Sequence, residues 1–168
     1  LGEYSISPVT AARLNKDLGN FAIDMIKDNP YLLVIGKYGV DFSTADKIAF
    51  DLGKEKDSLE RLTCGIEFVL KTASENGHIF CPKEVLFNKA YRVLKCDYEI
   101  LSDALAQMED KGRVVVEEEK VYLLHYYEAE GYVAKKLLQL DALATPYEGK
   151  QVEEIIKNIE HGQGFELA

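Results

Sequence analysis

An internal repeat constrains this chain more than any other feature. Two segments of the first third match at an offset of 34 residues. Ile6 answers Val40, Thr10 answers Thr44, and Ala11 answers Ala45. Arg13 then answers Lys47, Leu14 answers Ile48, Leu18 answers Leu52, and Gly19 answers Gly53. Each copy reads as a tight turn with an apolar centre, followed by a short helix. Gly19 and Gly53 fall where a helix C-cap wants a residue tolerant of the left-handed region. Between the copies, residues 21–28 predict another helix, with Phe21, Ile23 and Ile26 on its apolar face. Asn29-Pro30 stops it. A period of 34 also invites a tetratricopeptide stack, but that fold needs several copies and its own Trp-Leu-Gly-Tyr pattern. This chain has two copies and no Trp.

The pattern predicts a tandem helix-hairpin-helix. In that motif a short turn joins two helices, and backbone N–H groups at the second helix's N-terminus point outward. A helix N-terminus carries partial positive charge and unsatisfied donors. It can hold a phosphate without a basic side chain. The turns are Ser5-Ile6-Ser7 and Gly39-Val40-Asp41. Ile6 and Val40 pack inward and stiffen the hairpins, while Ser5, Ser7 and Gly39 act through their backbone. Thr10 and Thr44 add a hydroxyl, and Arg13 and Lys47 a charge, on the exposed first turn. The usual turn is Gly-apolar-Gly, because Gly permits positive φ and close backbone approach. The first turn here has no Gly, and the second places Asp41 third. A carboxylate beside a phosphate is unfavourable; alternatively Asp41 caps the following helix, which makes that hairpin structural.

Charge sharpens where a nucleic acid can touch. The net charge of −9 excludes a generic polyanion binder. Residues 1–56 hold seven Lys and Arg against eight Asp and Glu, residues 57–126 nine against thirteen, and residues 127–168 four against eight. Nucleic-acid contact is therefore expected in the first third. Cys64, Cys81 and Cys96 are odd in number and form no Cys-x-x-Cys pair, so reduced buried thiols and a cytoplasmic location are expected. His78-x-x-Cys81 has ligand spacing, but no second pair completes a metal site. His78 reads as a structural residue, and no catalytic constellation or Walker A motif is present. The N-terminus has no signal-peptide pattern. Without an initiator Met, it reads as a processed or internal end.

From 57 the pattern changes. Asp57 or Ser58 starts a helix, with Glu60 as capping support. Leu59, Leu62, Ile66, Val69, Leu70 and Ala73 follow at helical spacing, and Asn76-Gly77 ends it. Residues 78–81 form a short β-like run closed by Pro82. A helix over about 83–95 turns Val85, Leu86, Ala90, Val93 and Leu94 inward. Another covers about 98–110, with Leu101, Ala104, Leu105 and Met108 on one face. Residues 113–117 and 120–124 then read as a hairpin around Glu118-Glu119. Three helices, a short strand and a hairpin is the order of a winged helix. Its third helix carries Glu99, Asp103, Glu109 and Asp110 against Lys111, and its wing tip is Glu117-Glu118-Glu119. Such a surface repels phosphates, so this part is expected to be structural or to contact protein.

The tail predicts a helix over 126–143, a break at 145–150 and a second helix over 152–164. Val133, Leu137, Leu138 and Leu140 stripe the first; Ile155, Ile156 and Ile159 stripe the second. Either the stripes pack back on the body or they bridge to something else.

The order of these pieces resembles the N-terminal region of bacterial RecD-like ATP-dependent DNA helicases, the exodeoxyribonuclease V alpha family. The shared positions are Asn29, Pro30, Tyr31, Gly39, Phe42, Ala45, Asp46, Ile48, Ala49, Leu52, Gly53, Arg61, Gly65, Gly77, His78 and Pro82. The segment 122–140 is similar to the helix by which that family enters its motor. Asp41 departs from the family's usual Gly. The resemblance implies a non-catalytic accessory fragment without a cofactor of its own. ATP and Mg would belong to a superfamily 1 motor following residue 168, and DNA and that motor would be its partners.

The expectation is thus a mainly α chain with a small β-hairpin. It comprises a tandem helix-hairpin-helix (1–56), a winged-helix-like domain (57–125) and linker helices (126–168). It would position duplex or forked DNA for the motor. The rival is a protein-interaction or scaffold module, with an acidic winged helix for a protein partner and no direct DNA contact.

Overall fold

The computed structural model describes residues 6–35, 38–144 and 149–163. Helix α1 runs Pro8–Leu18 and passes through a 3-10 turn, Gly19–Phe21, into α2, Ala22–Asp28. A one-turn helix α3, Leu32–Ile35, precedes α4, Phe42–Asp51. Then follow α5 (Leu59–Glu75), β1 (Phe80–Pro82), α6 (Lys83–Leu94), α7 (Tyr98–Asp110), β2 (Val114–Glu117) and β3 (Lys120–Leu123). Helices α8, Leu124–Leu143, and α9, Gly149–Gln163, complete the described elements.

Residues 1–129 and 130–168 are two compact units. The first holds two hydrophobic clusters. Ile6, Leu14, Ala22, Ile26, Leu33 and Ile48 form the smaller one, with Val40 packed against it. The larger joins Tyr31, Phe42, Ala45 and Ala49 to Leu62, Ile66, Leu86, Leu94, Leu101 and Met108. Side chains from both sides of residue 56 therefore share one core. Helix α5 is its axis, buried at nine positions from Arg61 to Ala73. Gly65 lets α6 approach: a Cβ there would lie 2.6 Å from Leu94 Cδ2.

The expected hairpin is part of a three-stranded antiparallel sheet in the order β1-β3-β2. The short run after Gly77 supplies β1, pairing Phe80 with Tyr122 and Cys81 with Val121. Strands β2 and β3 pair Val114 with Leu123 and Glu117 with Lys120. Glu118 takes φ 54° at the turn between them.

Several inward assignments are corrected. Phe21 and Ile23 are 72 % and 45 % exposed, while Ala22 and Ile26 face the core. The 3-10 turn before α2 rotates Phe21 off the helical phase. On α6, Val85 is exposed and Phe87 is buried, because Leu86, Ala90 and Leu94 fix the inward stripe at i, i+4 and i+8. Ser58 is the N-cap of α5, but its side chain makes no capping bond. Helix α8 starts at Leu124 and α9 at Gly149, earlier than expected. Val133, Leu137, Leu138, Leu140, Ile155 and Ile159 are all exposed. Residues 145–148 of the expected break lie outside the described residues.

Candidate nucleic-acid interface

The two repeats fold alike, residue for residue. Ser7 is the N-cap of α1, and its Oγ accepts from the Thr10 amide at 3.1 Å. Thirty-four residues on, Asp41 is the N-cap of α4, and its Oδ1 accepts from the Thr44 amide at 2.9 Å. Leu14 and Ile48 are both buried beneath their helices. Gly19 and Gly53 both take positive φ at the helix ends. Ile6 is buried and Val40 half-buried, so both turn centres pack inward. Ser5 lies outside the described residues.

The two helix N-termini differ in charge. At α1 the cap is a neutral hydroxyl. At α4 the Asp41 carboxylate also accepts from the Ser43 hydroxyl at 2.6 Å and the Thr44 hydroxyl at 2.8 Å. The Ser43 hydroxyl, then the Thr44 amide and hydroxyl, hold the Asp41 pKa below its ordinary value. The N-terminus of α4 thus already carries a carboxylate, where that of α1 carries only a hydroxyl.

The threonines are not equivalent either. Thr10 is buried; its hydroxyl accepts from Ser7 Oγ at 2.9 Å and donates to the Tyr38 carbonyl at 3.3 Å. That chain of bonds ties the first hairpin to the turn of the second. Thr44 is half-buried. Arg13 and Lys47 are exposed, but they sit in the second turns of α1 and α4 rather than the first. Gly39 is exposed with φ 67°. Nothing lies within 4 Å of a Cβ placed there, so only the left-handed backbone asks for Gly.

A cleft of about 700 Å³ adjoins the second hairpin. Gly39, Val40 and Asp41 line it together with Phe68, Lys71, Arg113 and Tyr126. Arg113 Nε donates to Glu67 Oε1 at 2.8 Å, which pairs the guanidinium with a carboxylate at the cleft. The sequence singles out Gly39-Val40-Asp41 as a turn, but only the fold brings Phe68, Lys71, Arg113 and Tyr126 beside it.

A buried network holds the second hairpin to α5. Arg61 donates through Nε and Nη2 to Asp46 at 2.7 and 2.9 Å, and through Nη1 to the carbonyls of Lys56 and Leu94. The Tyr31 hydroxyl donates to Asp46 at 2.8 Å. Burial works against the Arg61 charge, but the Asp46 hydrogen bonds and charge outweigh it and raise its pKa. Burial, then the bond to Asp46, pushes the Tyr31 phenol well above its ordinary range. Beside this network, burial pushes the Cys64 thiol up to about 12. Cys64, Cys81 and Cys96 are all buried and free. His78 is exposed, and its backbone N–H closes the end of α5 on the Ala73 carbonyl.

Two capped hairpins in tandem, linked by a side-chain hydrogen-bond chain, define a helix-hairpin-helix region. Residues 1–80 match the family described as the ATP-dependent RecD2 DNA helicase HHH domain. Over these residues the chain is similar to the N-terminal region of a RecD2-like helicase. No described helix is long and apolar enough to cross a membrane.

Proposed function

We propose that this chain positions duplex or forked DNA for a helicase motor by backbone-phosphate contacts at its hairpins. The match of residues 1–80 to a helicase helix-hairpin-helix domain carries the reading. The first hairpin makes the principal contact, because its helix is capped by neutral Ser7. The second is weaker, because Asp41 stands where a phosphate would sit. Ser5, Ile6, Ser7, Gly39 and Val40 act through backbone; Arg13 and Lys47 add charge from the second turn, and Thr44 a hydroxyl. Thr10 braces the two hairpins. Residues 57–125 form a winged-helix module whose acidic third helix and wing tip turn away from phosphate and toward protein. ATP and Mg belong to the motor, which follows the linker helices in the parent protein.

The test is fluorescence anisotropy of the 168-residue chain with a labelled fork, over a salt series starting near ~50 mM. Two to four phosphate contacts predict a log–log salt slope of about −2 to −4. On labelled duplex, Arg13→Glu with Lys47→Glu should abolish binding, and Asp41→Gly should tighten it. No binding at low salt would overturn the proposal and leave the scaffold reading.

A further inference from the structure

We propose that the exposed face of α6, with the first residue of α7, is a separate binding surface for single-stranded DNA. In a chain of net charge −9, residues 83–98 hold four basic residues at 83, 89, 92 and 95 against two acidic ones. Lys89, Arg92 and Lys95 are exposed and three residues apart. At 1.5 Å rise per residue they form a basic ridge about 9 Å long. Among the described residues, no ion pair engages any of the three. Lys95 also holds φ 54° at the helix C-cap, a conformation that glycine would take without strain. The acidic neighbours in sequence are Glu84 in the first turn of α6, Asp97, which caps α7, and Glu99 in the first turn of α7.

Beside the ridge stand two exposed aromatic rings. Tyr91 and Tyr98 are 45 % and 46 % exposed, with centroids 6.1 Å apart and planes 13° from parallel. The Tyr98 hydroxyl donates to Asn88 Oδ1, and Phe87 packs on its ring at 5.9 Å. The pair is therefore held in place before any ligand arrives. Exposed rings beside a row of unpaired cations match the chemistry of single-stranded nucleic acid: bases stack on aromatic faces while cations follow the phosphates. A duplex keeps its bases stacked on each other and offers these rings nothing. An acidic peptide would meet the cations and leave the rings idle.

The chain has no Trp, so Tyr91→Trp supplies a local reporter. Adding a short oligothymidine should quench its emission. With labelled oligothymidine, three phosphates predict a salt slope of about −2, and Lys89→Gln with Arg92→Gln should lower its magnitude by about 1.4. Tyr91→Ala should weaken binding roughly 5- to 150-fold, the range for loss of one stacked base. Lys89 and Arg92 are exposed and make no ion pair among the described residues, so their double variant should keep the wild-type urea midpoint. Tyr91→Ala gives up its stack on Tyr98 and should lower the midpoint slightly. Duplex affinity should not change in these variants. Arg13→Glu with Lys47→Glu should leave oligothymidine binding intact, which separates this surface from the hairpins. Three results would overturn the proposal: unquenched emission from the Tyr91→Trp variant, oligothymidine affinity indifferent to all three α6 substitutions, or full displacement by an acidic peptide in place of DNA.

Discussion

Asp46→Ala tests whether the Tyr31–Asp46–Arg61 network fastens the second hairpin to the body. The Arg61 and Asp46 side chains are 4 % and 16 % exposed. Removing Asp46 leaves a buried guanidinium with only two carbonyl partners, from Lys56 and Leu94, and takes the acceptor from the Tyr31 hydroxyl. Breaking one partner of a buried pair costs about 3–5 kcal/mol. With a urea m-value of about 2 kcal/mol per M, the midpoint should fall by roughly 1.5–2.5 M. Far-UV and near-UV circular dichroism would follow the transition. Asp46→Leu with Arg61→Met removes both charges and should recover part of the loss, because no unpaired ion stays buried. Hydrogen exchange should rise more in α4 than in α7, since α4 carries Asp46. A shift under about 0.5 M, or a double variant no more stable than Asp46→Ala, would refute the account, because the pair would then behave as an exposed one.

Gly65→Ala gains about 1 kcal/mol of helix propensity but drives a Cβ to 2.6 Å from Leu94 Cδ2. Overpacking costs about 1–3 kcal/mol, so a net loss in urea midpoint is expected, smaller when Leu94→Ala is added than the two single losses combined. Asp41→Ala should cost about 1 kcal/mol at neutral pH as a lost N-cap. The folded Asp41 pKa is lowered, so the cap's contribution is complete above the ordinary value of 3.8 and lost as pH falls through the lower folded value. Wild-type and Asp41→Ala stabilities, measured by urea titration at several pH values, should converge in strong acid; a constant gap would refute the carboxylate cap.

The legible parts of this fold were those fixed locally. Helix α7 follows its period, with Leu101, Ala104, Leu105 and Met108 all buried. Asn29-Pro30 ends α2, and Glu118-Glu119 turns the strands. Phe21, Ile23 and Val85 misled because their phase depends on what packs against them. Asp46 and Arg61 stand fifteen residues apart and resemble ordinary surface charges; nothing local says that Tyr31 and the Leu94 carbonyl wait between them. The resemblance named Tyr31, Asp46, Arg61 and Gly65, but only the contacts give their physical role: they hold α4, α5 and α6 together. The basic face of α6 escaped for another reason. Counting nine basic residues against thirteen acidic ones over residues 57–126 averages Lys89, Arg92 and Lys95 with α7 and the Glu117-Glu118-Glu119 turn.

That averaging bears on how an acidic chain can hold DNA at all. At physiological salt the Debye length is about 8 Å, so exposed charges beyond that distance are largely screened. The net charge then acts only weakly, on approach, while the contact depends on the few groups beside each phosphate. In the proposed contact, those groups are backbone amides and the Ser7 hydroxyl at α1, and include the Asp41 carboxylate at α4. On that proposal the same whole-chain charge permits one hairpin and penalises the other. Acidic α7 and the Glu117-Glu118-Glu119 turn act in the same local way, repelling phosphate from one side of the module. The basic ridge on α6 leaves a different face open to it. On this argument, adding salt should weaken each contact according to the cations beside it, and reversing a remote acidic residue should change the rate of encounter more than the affinity.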